Sequence, residues 1–131
     1  MNRKEYEKFA RNISHEIAKT REAGQLEYAE EDNVFADFIE TAELTGTTPK
    51  NVLFTFLNKH MRGIASYLKG HKSQREHISG RIKDAIVYLQ LLWAMIHEEE
   101  RKHKQPNKGV KRKSRWTTNA TILPKFEKNK E

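Results

Sequence analysis

The segment of residues 78–96 constrains the fold more than any other part of the chain, because apolar residues cover most of its helical circumference. One side of the helix that it predicts carries Ile82, Ala85, Ile86, Leu89, Leu92, Trp93 and Ile96. Much of the other side is covered by Val87, Leu91, Ala94 and Met95. A helix that is apolar nearly all round packs on two faces, so this segment predicts the central helix of a bundle.

Three amphipathic segments precede it, each with apolar residues at steps of three and four. The first contains Tyr6, Phe9, Ala10, Ile13 and Ile17, and the second contains Val34, Phe35, Phe38, Ile39 and Ala42. We expect the first helix to end before Gly24 and the second to end at Gly46. Asp32 or Asn33 is expected to cap the start of the second helix.

The third helix has the clearest boundaries in the sequence. Thr48 suits the N-cap, Pro49 suits the first helical position because its missing N–H costs nothing there, and Gly70 suits the stop. These segments predict an all-α fold, a bundle of about four helices in residues 1–100. Because so short a bundle leaves part of the apolar fourth helix uncovered, we expect a homodimer through helices three and four.

Positive charge is concentrated at the C-terminal end. Residues 101–131 hold 11 of the 25 Lys and Arg residues but only 2 of the 18 Asp and Glu residues, so this segment carries +9 and residues 1–100 carry −2. The apolar period also fails there, and Pro106 and Gly109 interrupt the segment. Residues 101–131 are therefore predicted to form a basic, flexible arm.

Several classes of protein are disfavoured by what the sequence does not contain. There is no cysteine, which excludes disulfide bonds, thiolate zinc sites and cysteine nucleophiles. Charges stand where a signal peptide would need an apolar run, and the longest apolar stretch is shorter than the about 20 residues that span a bilayer. We expect a protein of the cytoplasm that does not enter a membrane.

His60 lies at the centre of the apolar face of the third helix. Its neighbours on that face are Leu53, Phe56, Leu57, Ile64 and Tyr67. Asp84 lies on the second apolar face of the fourth helix, and a desolvated carboxylate requires a partner. Because an imidazole is a natural partner for a carboxylate, we expect His60 and Asp84 to meet.

Two interpretations of this pair are open at the sequence level. In the first, His60 and Asp84 form a satisfied structural pair that holds two helices in register. In the second, His60 is a general base or a phosphate ligand that Asp84 tunes in a pocket between helices. Lys59 and Arg81 would then supply positive charge to an anionic substrate.

Carboxylate metal sites receive weaker support. Glu40 and Glu43 have a spacing at which two carboxylates can share one Mg²⁺, but Glu40 points away from the core of its helix. Arg81 stands where a matching ligand of the fourth helix would be, and the histidines lack the i,i+3 or i,i+4 spacing of a metal site. We therefore predict no metal ligands, and Mg²⁺ is the one cofactor considered. Walker loops, G-x-G-x-x-G and nucleophile elbows are also missing.

The arm contains a cluster suited to nucleic acid. Its four cations and one aromatic ring are Lys111, Arg112, Lys113, Arg115 and Trp116. Cations contact phosphates and a tryptophan ring stacks on bases, so the cluster favours salt-sensitive binding of nucleic acid. The alternatives are a solubilising tail and a segment that docks onto a protein.

Three pieces of the chain carry a family resemblance: "DNVFADFIETAELTGTTPKNVL", "FLNKHMRGI" and "GRIKDAIVYLQLL". Together, within residues 28–97, they resemble a small helical family of phages and prophages named as a nucleotide-modification-associated domain. The matching positions are Asn33, Phe35, Lys59, His60, Gly80, Arg81, Asp84 and Tyr88. Asn58 and Ser79 depart from the pattern, since the family often has carboxylates there.

The resemblance implies a phage-type context and a nucleotide-related role, and the helical layout of the family is similar to that of MazG-type nucleotide pyrophosphatases. It adds Asn33 and Tyr88 to the expected ligand-binding residues, beside Lys59 and Arg81. We expect a protein that binds a nucleotide or another phosphate-bearing ligand between helices, with His60 and Asp84 as the catalytic candidates if it hydrolyses that ligand. The alternatives are a nucleic-acid-binding accessory protein and a non-enzymatic phage protein that binds a host factor.

Overall fold

The computed structural model describes residues 1–72 and 75–104 and shows an all-α fold with four helices in these ranges. The helices are α1 (Arg3–Tyr28), α2 (Ala36–Thr45), α3 (Pro49–Leu68) and α4 (Ile78–Lys104). α3 packs against α4 and α2, and α1 packs against α4. The predicted fold class is therefore confirmed, and α4 runs past the predicted boundary at residue 100.

The expected end of the first helix before Gly24 is wrong, because α1 continues to Tyr28. A glycine inside a helix costs about 1 kcal/mol relative to alanine but does not break it. Among the described glycines, Gly46 and Gly70 have a positive φ and Gly24 does not. The last turn of α1 instead lies over a cavity, where Gly24, Gln25 and Tyr28 form part of the lining.

The start of α2 also differs from the prediction, since the helix begins at Ala36 and no side chain caps it. The Asn33 side chain instead accepts a hydrogen bond from the Phe35 backbone N–H at 3.0 Å, which forms a turn before the helix. The predicted stop is confirmed, because Gly46 is left-handed at φ 66°.

The boundaries of α3 agree with the prediction. The Thr48 side chain accepts a hydrogen bond from the Asn51 N–H, Pro49 opens the helix, and the glycine with φ 96° at position 70 follows its end. The hydrophobic core forms where α2, α3 and α4 meet. Its buried members are Phe38, Ala42, Val52, Leu53 and Met95.

No helix in residues 1–72 and 75–104 is long and apolar enough to cross a membrane. The predicted nucleic-acid cluster of the arm lies outside the described residues.

Candidate functional site

A cavity of about 260 Å³ is enclosed by the last turns of α1, the first turn of α2 and the adjoining faces of α3 and α4. Phe38, Val87 and Leu91 supply apolar wall. The polar lining residues are Thr20, Arg21, Gln25, Tyr28, Asp37, His60, Asp84 and Tyr88. A largely apolar cavity with a few convergent polar groups is the usual form of a small-molecule site.

His60 of α3 and Asp84 of α4 meet in the wall of this cavity. The distance from His60 Nδ1 to Asp84 Oδ2 is 3.6 Å, which suits an ion pair but is too long for a hydrogen bond. His60 Nδ1 is shielded from solvent and has no hydrogen-bond partner among the described residues. A buried polar atom without a partner costs about 1–3 kcal/mol. The two side chains meet, as predicted, but they do not form a satisfied hydrogen bond.

Glu76 adds a second carboxylate to this pair from the segment just before α4. One donor atom from each of His60, Glu76 and Asp84 lies within 4.8 Å of the other two. The three residues are half-buried. We call them the His60–Glu76–Asp84 cluster.

Arg81 anchors the carboxylate of Glu76. Its Nε lies 3.8 Å from a Glu76 carboxylate oxygen, and its side chain lies directly against Gly63 of α3. A Cβ atom at Gly63 would collide with the Arg81 guanidinium, so the glycine makes room for it. Gly80 is similarly close, since a Cβ atom there would lie 2.9 Å from Glu76 Oε1. Two glycines thus leave space for the Arg81–Glu76 pair.

Burial raises the pKa of the Asp84 carboxyl above its usual 3.8, and the nearby Glu76 carboxylate raises it further. The charge of His60 acts in the opposite direction without cancelling these effects. Burial, followed by the charges of Asp84 and Asp37, also raises the pKa of the Tyr88 hydroxyl. The negative charge of Asp84 is therefore not fully stabilised by its surroundings, a feature that is frequent at functional sites.

Tyr88 holds the imidazole in place. The two ring centroids are 5.4 Å apart at an interplanar angle of 34°. On its other sides Tyr88 contacts Phe38 and Phe56, at centroid distances of 6.4 Å and 6.2 Å. The orientation of His60 is thus fixed by the aromatic part of the core.

The structure brings some of the predicted site residues together and separates others. His60, Asp84 and Tyr88 line the cavity, and Arg81 reaches the cluster through Glu76. Lys59 is exposed on α3 and is not part of the cavity lining. Asn33 lies beside the lining residue Val34, and its side chain is engaged in the turn before α2. The ligand-binding roles of Lys59 and Asn33 stay predictions.

Glu76, Asp37 and Arg21 were not predicted from the sequence. Glu76 precedes α4 in an irregular segment, where helical spacing gives no information about direction. Asp37 and Arg21 belong to no motif. The cavity that they line was also not expected, because α1 was predicted to end before Gly24. The polar residues in the last turns of α1 were the one sequence signal that could have indicated this cavity.

No protein-family profile, curated protein or solved structure matches this chain. The resemblance to the nucleotide-modification-associated domain therefore stays a prediction.

Proposed function

We propose that the cavity binds a nucleotide or a related phosphate-bearing ligand. The observation that carries this proposal is the unsatisfied Nδ1 of His60, which stands beside the destabilised carboxylate of Asp84 in a cavity wall. A structural pair gains nothing from leaving a buried donor or acceptor unpaired. Because Nδ1 is shielded from solvent in the free protein, a ligand group would satisfy it after a shift of the neighbouring side chains.

The chemistry of the lining favours a ligand with a flat apolar part and an anionic end. The wall formed by Phe38, Val87 and Leu91 suits the face of a base. Arg21 is exposed and belongs to the rim, where a guanidinium can bind a phosphate at the cavity mouth. Asp37 can accept hydrogen bonds from amino groups of a base.

Hydrolysis of the ligand would be a further step, and His60 is the candidate general base because its imidazole lines the cavity and lies beside a carboxylate. In this proposal the protein acts in a phage-infected cytoplasm, as the family resemblance implies.

Gly24 allows a test with a matched control, since it lines the cavity and has open space where a Cβ atom would stand. Gly24→Leu should fill the cavity, whereas Gly24→Ala adds one methyl group; both should stabilise α1 by about 1 kcal/mol or less. We expect nucleotides to raise the Tm of the wild type and of Gly24→Ala but not of Gly24→Leu. A nucleotide panel that shifts no Tm and shows no turnover in the wild type would contradict the proposal.

A second candidate function is binding of nucleic acid through the basic arm, and the +9 charge of residues 101–131 favours it. Changing Lys111, Arg112, Lys113 and Arg115 to Gln in the full chain should then remove salt-sensitive DNA or RNA binding. Nucleotide binding in the cavity should be unchanged by these substitutions. Equal binding of nucleic acid by both chains would exclude the arm as the contact.

We also propose self-association through the exposed apolar residues of α3 and α4. Exposed apolar residues recur at steps of seven on both helices, at Phe54, Met61 and Leu68 and at Ile82, Leu89 and Ile96, with Trp93 76% exposed beside them. A second copy would present the same two helices, so a two-fold axis could pair these faces into a larger bundle. Such an assembly would also add stability, because the small core of one chain stabilises the fold only weakly.

Two substitutions with the same chemistry separate this face from the rest of the surface. Leu89→Glu should convert a dimer to a monomer in analytical ultracentrifugation, whereas Leu44→Glu, at a residue of α2 that is 87% exposed, should not. A wild-type chain that sediments as a monomer would contradict the proposal.

A further inference from the structure

We propose that the His60–Glu76–Asp84 cluster is a binding site for a divalent transition-metal cation such as Mn²⁺ or Zn²⁺. The cation would accept a lone pair from His60 Nδ1 and one carboxylate oxygen from each acidic residue. This site goes beyond the cavity ligand, because metal binding needs only these three side chains.

The geometry of the cluster supports the proposal. Typical metal–ligand bonds of about 2.0–2.2 Å place neighbouring donor atoms about 3–3.5 Å apart. The donor atoms here already lie within 4.8 Å of one another. Small rotations of the two carboxylate side chains would therefore close the site around a cation without movement of the helices.

His60 provides an independent indication of a ligand. Its side chain is 12% exposed, its Nδ1 is completely shielded, and no described residue donates to or accepts from that atom. The Nδ1 atom is directed at the carboxylate of Asp84, and Tyr88 restrains the ring in this orientation. A metal bond to Nδ1 would satisfy the one buried side-chain atom for which the described residues supply no partner.

The donor set also selects the type of cation. Mg²⁺ and Ca²⁺ prefer shells made only of oxygen, whereas an imidazole nitrogen favours transition metals. Two carboxylates and one imidazole therefore favour Mn²⁺ or Zn²⁺ over Mg²⁺. Three protein ligands leave further coordination positions for water or for a ligand oxygen.

Neutralisation of charge gives the cation a physical role in the free protein. The Glu76 and Asp84 carboxylates lie in one cluster and repel each other when both are charged, and Arg81 contacts Glu76. A dication between the carboxylates would replace this repulsion with attraction. If the cavity also binds a nucleotide, the open coordination positions could contact its phosphates; this step alone rests on the proposed function.

The test is a titration of the full, metal-free chain with Mn²⁺, Zn²⁺ and Mg²⁺ separately. Calorimetry measures binding, and the Tm measures the change in stability. We expect one Mn²⁺ or Zn²⁺ to bind per chain and to raise the Tm by more than about 5 °C at saturation. Mg²⁺ should bind more weakly than either. Glu76→Gln and Asp84→Asn should each weaken binding by about tenfold or more.

Matched controls distinguish this cluster from other surface ligands. Glu40→Gln removes an exposed carboxylate of α2, and His97→Gln removes an exposed histidine of α4; neither should change the affinity of the single strong site. Metal binding that persists in Glu76→Gln and Asp84→Asn, or that disappears in a control, would overturn the proposal, as would a wild type that binds no transition metal.

A second measurement does not depend on the folding of any variant. Mn²⁺ broadens NMR signals of nearby nuclei, so the amide signals of His60, Glu76 and Asp84 should weaken first when Mn²⁺ is added to the wild type. Uniform broadening, or broadening centred elsewhere, would overturn the site. Nucleotide binding is measured separately in the presence of a chelator, so that failure of the cavity ligand and failure of the metal site can be told apart.

Discussion

Lys50–Glu99 and His60–Asp84 are two ionic contacts between described residues of α3 and α4, and they differ in length, hydrogen bonding and burial. Lys50 Nζ and Glu99 Oε2 are 2.7 Å apart, hydrogen-bonded and substantially exposed. His60 Nδ1 and Asp84 Oδ2 are 3.6 Å apart, not hydrogen-bonded and more buried. The His60–Asp84 contact is more buried and would gain more from a short hydrogen bond, yet it is the longer of the two and has no hydrogen bond. We therefore expect Lys50 and Glu99 to contribute to the fold, and the proposed ligand site gives the poorer geometry of His60 and Asp84 a physical reason.

A substitution in the hydrophobic core should produce the largest change in stability, and it sets the scale for the other variants. Leu53 of α3 is completely buried and belongs to the hydrophobic core. Leu53→Ala should lower the free energy of unfolding by about 2–5 kcal/mol, because it leaves a cavity in the core. Urea denaturation measures the loss. A change below about 1 kcal/mol would mean that the core is not formed as described.

Replacing the imidazole should have the next largest effect, but on binding. His60→Phe keeps a ring against Tyr88 and removes the unsatisfied nitrogen, so we expect stability close to that of the wild type. Affinity for Mn²⁺ or Zn²⁺ should fall about tenfold or more. Calorimetry measures binding, and urea denaturation measures stability. A strongly destabilised His60→Phe variant with unchanged metal affinity would favour the structural interpretation of the pair.

Removing the charge of Asp84 should have a smaller effect, and one of unusual sign. The folded pKa of Asp84 lies above its usual value of 3.8, so ionisation of this carboxyl costs the native state free energy. That cost is absent below the unfolded pKa and is complete above the folded pKa. In the presence of a chelator, Asp84→Asn should therefore have a higher Tm than the wild type at neutral pH.

The same comparison at strongly acidic pH provides the control, since both chains are then uncharged at position 84 and the Tm difference should vanish. A lower Tm for Asp84→Asn at neutral pH would show that His60 and Asp84 stabilise the fold.

The exposed contact should give the smallest change. Glu99→Gln removes the ion pair with Lys50, and such pairs contribute less than about 1 kcal/mol. Added salt should reduce even this difference, because it screens exposed charges. Urea denaturation at low and high salt checks both expectations. A loss as large as that of Leu53→Ala would invalidate the distinction between the two contacts.

Much of the fold could be predicted from the sequence because local chemistry determines it. Thr48 and Pro49 start α3 as expected, and Gly46 ends α2 in the left-handed conformation that glycine favours. Gly24 misled the prediction because a glycine that ends a helix and one that leaves room beside a cavity look alike in a sequence. The difference depends on what packs against the helix.

The site could be predicted only in part, for a related reason. Helical spacing placed His60 and Asp84 on apolar faces. Their contact could be predicted because a buried carboxylate requires a partner. Glu76 could not be placed, because it precedes α4 and is positioned by Arg81 and by the space at Gly63 and Gly80. Of these contacts, the one between Arg81 and Gly63 joins α4 to α3, and no local pattern in the sequence encodes it.

Binding of a metal ion at His60 Nδ1 should be visible in the imidazole nitrogen signals in NMR. Spectra of the ¹⁵N-labelled full chain, assigned with His60→Phe, would be recorded as Zn²⁺ is added. We expect the Nδ1 signal of His60 to change first and to saturate at one Zn²⁺ per chain. A His60 signal that stays constant while those of exposed histidines such as His97 change would contradict it.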